Sequence, residues 1–242
     1  MILQMMQQAV SNASSLVDLF YPNVCQSCGN TMQGSEEVIC IHCQHQLPTT
    51  DYHKRADNPT AKHLWGRVLL ENATSFLYFI NGSKVQHLMH QLKYNAKTKI
   101  GIKMGQMYGK WLNETPAYQD IDMIVPVPLH PDKEKKRGYN QSFFFAMGLG
   151  DAMGVRYSKD YLFKTRNNES QTKKGRLDRW DNVKSVFQVQ NEEELEGKHI
   201  LLVDDVITTG STLEACARNK SQFSALTTFC VSCCPLAVTL RR

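Results

Sequence analysis

Asp204 and Asp205 set two adjacent carboxylates directly after a short apolar run, Ile200 to Val203. Three positions further on, Thr208, Thr209, Gly210, Ser211 and Thr212 put four hydroxyl groups and one glycine into a single turn. Residues Leu213 to Asn219 then read as a helix. A strand, an acidic pair, a small-residue turn and a helix start together describe a corner that binds phosphate. Backbone N–H groups of such a turn, and of the helix after it, point at an anion. Hydroxyls add donors without bulk, and Gly210 permits a close approach that a side chain would block. The carboxylates cannot favour phosphate, so they must hold neighbouring sugar hydroxyls or a divalent cation. A buried strand followed by a merely capped helix is the competing reading. Two Asp at the strand end, with four hydroxyl residues in one turn, favour the phosphate corner.

A second constellation lies near the N-terminus. Cys25-Gln-Ser-Cys28 and Cys40-Ile-His-Cys43 are two Cys-x-x-Cys pairs separated by eleven residues. Each pair forms a knuckle that turns two thiolates toward one point, and two knuckles complete a closed four-sulfur site suited to structural zinc. Redox pairs, disulfides, or substitution of one thiol by His42 or His45 are the alternatives. A closed four-thiolate site leaves no open coordination position, so its expected role is folding and scaffolding.

Basic residues form the third set. Lys133-Glu134-Lys135-Lys136-Arg137 follows an apolar strand-like run, Ile121 to Val125, and the prolines Pro126 and Pro128. Those prolines cannot donate to a sheet ladder, so the strand should end there and enter a rigid loop. Guanidinium and ammonium groups on a loop at a strand end suit a pyrophosphate. A solvated basic loop is the plainer alternative. Residues 166–183 are long, polar and basic, with Arg176 and Arg179 among them, and suit a lid over phosphorylated ligands.

These residues need elements to position them. Branched apolar runs at 73–79, 121–125, 161–164, 186–189, 200–203 and 225–232 read as strands. Ser83 caps an expected helix to Leu92, with Val85, Leu88, Met89 and Leu92 on one face. Further helices are expected over 99–112, 142–153 and 213–219. The alternation predicts an α/β fold, a mostly parallel sheet flanked by helices, with ligands at the strands' C-terminal ends. The expected organisation is an N-terminal helix and Cys₄ module over 1–50, a linker over 51–72, and the α/β domain over 73–242. Trp65 and the apolar residues near it are expected to dock the linker onto the core. Cys230, Cys233 and Cys234 sit in an apolar context and read as packing residues.

Two stretches resemble a known family. Val203 to Thr212 resembles the phosphoribosyl-pyrophosphate (PRPP) signature of type I phosphoribosyltransferases. Val125-Pro126-Val127-Pro128-Leu129-His130, followed by Arg137-Gly138-Tyr139-Asn140-Gln141, resembles the pattern of ComF-type proteins. These are phosphoribosyltransferase-like and also carry an N-terminal Cys₄ module. Gln171-Thr172, Arg176, Arg179 and Asn182-Val183 keep the spacing of a further ComF element. Lys133 stands where the family usually has another Arg, and Lys173-Lys174-Gly175 where it typically has Gly-Leu-Ser. The resemblance implies a type I phosphoribosyltransferase-like fold with Asp204 and Asp205 at the ribose hydroxyls. It puts Thr208, Thr209, Gly210, Ser211 and Thr212 around the 5′-phosphate. Arg137, with Lys133, Arg176 and Arg179, is then expected at the pyrophosphate, and Mg²⁺ accompanies PRPP. No residue reads as a general base for the acceptor, whose identity stays open.

The resemblance also implies a non-catalytic alternative. ComF proteins are associated with DNA uptake in natural competence, so the alternative reading is an accessory protein binding nucleotide, single-stranded DNA or competence proteins. The 242 residues carry a net charge of +5, with 42% apolar and 21% charged side chains. That charge accommodates a polyanion without specifying nucleic acid. No apolar run approaches the about 20 residues of a membrane helix. Met1 to Phe20 has no Lys or Arg before its apolar residues and reads as an amphipathic helix rather than a secretory signal. The expected compartment is the cytoplasm.

Overall fold

Residues 22–32, 34, 36–67, 70–165, 186–217 and 233–235 are described by the structure, a computed structural model. The expected N-terminal helix, the strand at 225–232 and the loop carrying Arg176 and Arg179 lie outside them, as does Cys230. The chain divides into two compact units, Met1–Leu47 and Pro48–Arg242.

In the smaller unit, an isolated antiparallel bridge joins Val24 to Thr31 and closes the turn that carries Cys25 and Cys28. Helix α1 (Ile41–His45) starts immediately after Cys40 and buries Cys43. Met32, Ile39 and Leu47 are buried apolar residues of the same unit.

The larger unit begins before the expected boundary. Residues read as a linker are folded: Tyr52–Lys54 makes one 3₁₀ turn, and Pro59–Leu64 forms helix α2. Asn58 organises this segment. Its Oδ1 accepts from Ala61 N, capping α2. Its amide nitrogen donates to the carbonyls of Tyr52, Arg55 and Ala73 at 3.1, 2.8 and 2.6 Å. A polar residue only 1% exposed is tolerated because its amide group is engaged at both ends. Pro59 fits the first helical position, where no N–H is required. Leu64, one of the apolar residues near Trp65 expected to dock this segment, is buried, whereas Trp65 itself is 56% exposed.

Strand β1 (Leu77–Phe79) leads through the Asn81-Gly82 turn into helix α3 (Lys84–Tyr94). Ser83 caps α3 by accepting from Gln86 N at 3.3 Å, and Val85, Leu88, Met89 and Leu92 are buried, as the periodicity predicts. Helix α4 (Lys99–Asn113) follows. Strand β2 (Met123–Pro126) is buried along its whole length.

Helix α5 (Pro131–Arg137) occupies what was expected to be a loop. The reason is local. Pro131 starts it, and the His130 ring accepts from Asp132 N at 3.2 Å. Acidic residues sit in its first turn and basic ones in its last, and Gly138 ends it with φ 86°.

Helix α6 (Gln141–Met153) packs along α4. Glycines set that approach: a Cβ at Gly105 would fall 2.8 Å from Leu149 N, and one at Gly148 would fall 2.9 Å from Gln106 N. Neither position has room for a side chain.

Strands β3 (Arg156–Tyr157), β4 (Leu162–Lys164), β5 (Phe187–Val189) and β6 (Ile200–Val203) follow, then helix α7 (Ser211–Ala217) and strand β7 (Cys233–Pro235). The central sheet has the order β3-β2-β6 and is parallel, with Met123 opposite Ile200 and Pro126 opposite Val203. β1 pairs with β7 in parallel, and β4 with β5 antiparallel. Among the described residues, no helix is long and apolar enough to cross a membrane.

Candidate functional site

β2 and β6 run parallel and end side by side, so the Val-Pro-Val-Pro stretch and the acidic pair leave the sheet at neighbouring C-terminal ends. Asp204 Oδ1 accepts from Asp205 N at 2.8 Å and from Ser142 Oγ, in the first turn of α6, at 3.3 Å. Burial, and then the charge of Asp205, push the Asp204 carboxyl up to about 7. The Asp205 N–H, Lys93 and the Ser142 hydroxyl pull the other way. Asp205 Oδ2 meets Lys93 Nζ, from α3, at 2.6 Å. Near neutral pH the Asp204 carboxyl is therefore equipped to donate a hydrogen bond as well as accept one.

The turn follows at once. Thr208, Thr209 and Ser211 are exposed, Thr212 is half-buried, and the Thr209 and Ser211 hydroxyls share a hydrogen bond of 2.9 Å. Gly210 has φ 69°, and a Cβ there would fall 2.7 Å from Leu64 Cδ2. Both facts call for glycine. Arg67, just beyond α2, clamps the turn from behind. Its Nη1 donates to Thr209 O at 2.7 Å, and its Nε donates to Glu214 Oε2 of α7 at 3.0 Å. The turn is thus fastened to the helix that follows it through one guanidinium.

The basic side is tied to the same place. Arg137 ends α5, donates to Gln141 Oε1 and lies 5.6 Å from the centre of the Tyr94 ring. Asn140 caps α6 by accepting from Ser142 N and donates its amide to Val127 O at 2.9 Å. Tyr139 donates its hydroxyl to Leu92 O. Residues 137–142 therefore join the end of β2, the end of α3 and, through Ser142, Asp204. Lys133 is exposed on α5. Burial, and then the charge of Lys133, push the Lys164 ammonium down, while Cys216 and Asp204 push it up.

Asp204, Asp205, Thr208, Thr209, Gly210, Ser211, Thr212 and Arg137 thus belong to one connected group. Lys93, Arg67 and Glu214, which hold the acidic pair and the turn, were not legible in the sequence. Lys93 reads as the end of an amphipathic helix, and Arg67 sits in a stretch without a motif. Ser142 was legible only as a helix start.

In the smaller unit, the Sγ atoms of Cys25, Cys28, Cys40 and Cys43 all lie within 4.8 Å of one another, and Cys28 and Cys40 are 3.8 Å apart. The edge of a sulfur tetrahedron around zinc, with bonds of about 2.3 Å, is about 3.8 Å. The donor set is therefore able to close around one metal ion. Cys25 Sγ accepts from Ser27 N at 3.4 Å and from Cys40 N at 3.3 Å. Burial pushes the Cys25 thiol up, but the backbone N–H groups of Cys40, Cys28 and Ser27 outweigh it and bring it down to about 7. His42 and His45 are exposed and stand outside this cluster.

Comparison with known proteins gives these motifs a context. A model described as "Phosphoribosyl transferase domain" matches residues 140–237. "DNA utilization protein YhgH" of Escherichia coli O6:H1 is 30% identical over 199 residues, covering 81% of this chain and 82% of that protein. "Competence protein F" of Haemophilus influenzae is 23% identical over 204 residues, with 80% and 89% covered. "Competence protein ComFC" of Bacillus subtilis is 38% identical over 96 residues, with 40% and 37% covered. With most of its length aligned to such relatives, and with both motif stretches leaving one parallel sheet side by side, this chain belongs to the ComF family of type I phosphoribosyltransferase-like proteins.

Proposed function

We propose that the chain binds PRPP together with Mg²⁺ and transfers its phosphoribosyl group to an acceptor. The observation that carries this reading is the anchoring of Asp204 by Ser142, which joins the acidic pair to the Arg137–Gln141 stretch. Asp204 and Asp205 take the ribose hydroxyls, with the Asp204 carboxyl able both to donate and to accept. Thr208 to Thr212 take the 5′-phosphate through hydroxyls and backbone N–H groups. Arg137, with Lys133, Arg176 and Arg179, meets the pyrophosphate. In the reaction, the bond from the anomeric carbon to pyrophosphate breaks and its electron pair leaves on the pyrophosphate oxygen. The acceptor's lone pair forms the new bond at that carbon. Positive charge on the ribose ring faces the carboxylates, which stabilise it electrostatically. The two carboxylates suit a hard cation shared with substrate phosphates, and Mg²⁺, when bound, neutralises charge on the leaving group.

Cys25, Cys28, Cys40 and Cys43 hold structural zinc in this reading, supported by the spacing of their sulfurs. Calorimetry with PRPP and Mg²⁺ tests the donor site. Binding is expected in the wild type and lost in Asp204→Asn/Asp205→Asn. No binding at millimolar PRPP would sink the reading.

A second reading draws on the printed names of the relatives, which refer to DNA utilization and competence. In it the chain is an accessory protein that binds nucleotide or single-stranded DNA through the basic residues at 133–137 and 173–179. Affinity for a single strand should then fall steeply with salt, each phosphate contact contributing about −0.7 to the log–log slope. A flat salt response counts against it.

A further inference from the structure

Apart from the acidic corner, a cleft of about 700 Å³ opens between β1, the end of α4 and the segment that leads into α2. Neither carboxylate of the acidic pair lines it, nor does any residue of the phosphate turn. Its size falls within the about 300–1,000 Å³ of small-molecule sites. Tyr78 and Trp111 give it aromatic walls, and Asp51, Lys54 and Glu114 bring charge to its rim. We propose that this cleft is a second ligand site and that it takes a small aliphatic cation, a diamine or polyamine. The inference is independent of the transfer reading above.

The charge of the walls argues for a cation. Asp51 and Glu114 oppose the single ammonium of Lys54, in a chain whose net charge is +5. The C-terminal end of α4, where the helix dipole is negative, meets the same cleft through Trp111. An anion would face two carboxylates and that helix end. Asp51 is paired with Arg55 at 2.9 Å, but the two side chains are 60% and 52% exposed. A pair so exposed contributes little, and a bound ammonium can take the place of Arg55. Glu114 has no ion-pair partner among the described residues. The remaining groups favour an organic cation over a bare metal ion. His53 is 7% exposed, and its ring stacks on Trp111 at 5.6 Å with a tilt of 30°. Its Nδ1 is buried without a hydrogen-bond partner among the described residues. Burial, and then the charge of Lys54, push the His53 imidazole down, while Asp51 pulls the other way. A neutral imidazole keeps one ring nitrogen as an acceptor for N–H. Trp111 and Tyr78 attract an ammonium by their ring faces and can cover an alkyl stem. Among the described residues, only the four cysteines gather closely enough to hold a metal ion. Asp51 and Glu114 come from two different elements, which suits a chain with an ammonium at each end better than a single charge.

The test titrates the full chain with putrescine and spermidine by calorimetry, at fixed ionic strength and without PRPP. Spermidine is expected to bind with a dissociation constant of about 1 mM or below, and the neutral diol of putrescine's length is expected not to bind. Glu114→Gln and Asp51→Asn, both changes at exposed side chains, should each weaken amine binding by about threefold to tenfold. Lys54→Gln removes the opposing charge and should tighten it by about twofold or more. No binding of spermidine at about 10 mM overturns the proposal. So does amine binding indifferent to all three variants, or diol binding that matches the diamine's. Asp204→Asn/Asp205→Asn is the remaining control, in which amine binding is expected to persist. Its loss there would move the amine to the acidic corner and overturn this site.

Discussion

The four-cysteine cluster and the acidic corner are both convergent sites, but they are assembled in opposite ways. The cluster draws all four thiols from residues 25–43, and its geometry is made by two short turns and their backbone N–H groups. The acidic corner draws Ser142, Lys93 and Arg67 from remote parts of the chain. The Ser142–Asp204 contact spans 62 positions, and the Arg67–Thr209 contact spans 142. A locally made site depends on the ion that closes it. A remotely made one depends on the packing of every element that delivers a side chain. Their responses to perturbation should differ accordingly.

Metal removal is the largest expected effect and the sharpest test of that difference. A structural zinc supplies folding free energy of about 10 kcal/mol or more in small modules. A strong chelator, or Cys43→Ser, should abolish amide-exchange protection across residues 22–47. PRPP binding by the larger unit should survive. Loss of both together would break the comparison, because the corner would then depend on the cluster.

Next in size is the acidic pair. A hydrogen bond to a charged group contributes about 1.5–3 kcal/mol, so Asp205→Asn should weaken PRPP binding by about ten- to a hundredfold. Lys93→Met should weaken it as well, by leaving Asp205 without its partner. The readout is the calorimetric dissociation constant at fixed Mg²⁺.

The pH dependence of stability comes third. Burial and Asp205 raise the Asp204 carboxyl to about 7, above its unfolded value. Between about pH 4 and 7 the folded state therefore binds more protons than the unfolded one, and stability from this group falls as pH rises. The loss is on the order of a few kcal/mol at most, the opposing pull of Lys93 and Ser142 being already contained in that value. Denaturant midpoints of the larger unit should show the decline, and Asp204→Asn should flatten it. A slope unchanged in Asp204→Asn would remove this account of the carboxyl.

The smallest expected effect is at the back of the turn. Arg67→Ala removes the tie between Thr209 and Glu214 and should raise the PRPP dissociation constant by about fivefold to tenfold, with a small cost in stability. Arg67→Lys should recover little, because an ammonium cannot reproduce the fork that reaches both partners. Full recovery in Arg67→Lys would show that charge alone, and not the fork, orders the turn.

Legibility followed the same division. The strand at 200–203, the turn after it and the amphipathic helix at 84–94 were readable because apolar runs, helical periodicity, caps and glycines act over a few residues. Helix α5 was missed because two prolines and a run of lysines resemble a loop. Its own signals, Pro131 at the start and Gly138 at the end, are equally local and were outweighed. The segment at 51–72 was read as a linker because it is polar. Asn58 turns that polarity inward by satisfying three carbonyls, and only a partner as distant as Ala73 makes this visible.

The amino-acid sequence by itself determined which groups are available: four thiols in two knuckles, a carboxylate pair at a strand end, a hydroxyl turn with glycine at 210. Each follows from chemistry within one turn or strand. Only the tertiary structure decided that Lys93 meets Asp205, that Ser142 meets Asp204 and that Arg67 clasps the turn from behind. Those contacts depend on how α2, α3 and α6 pack around the parallel sheet. Backbone glycines between α4 and α6 set how close one of those packings is. Pairings of this length carry no local signature, because the free energy that selects them is spread over the whole core.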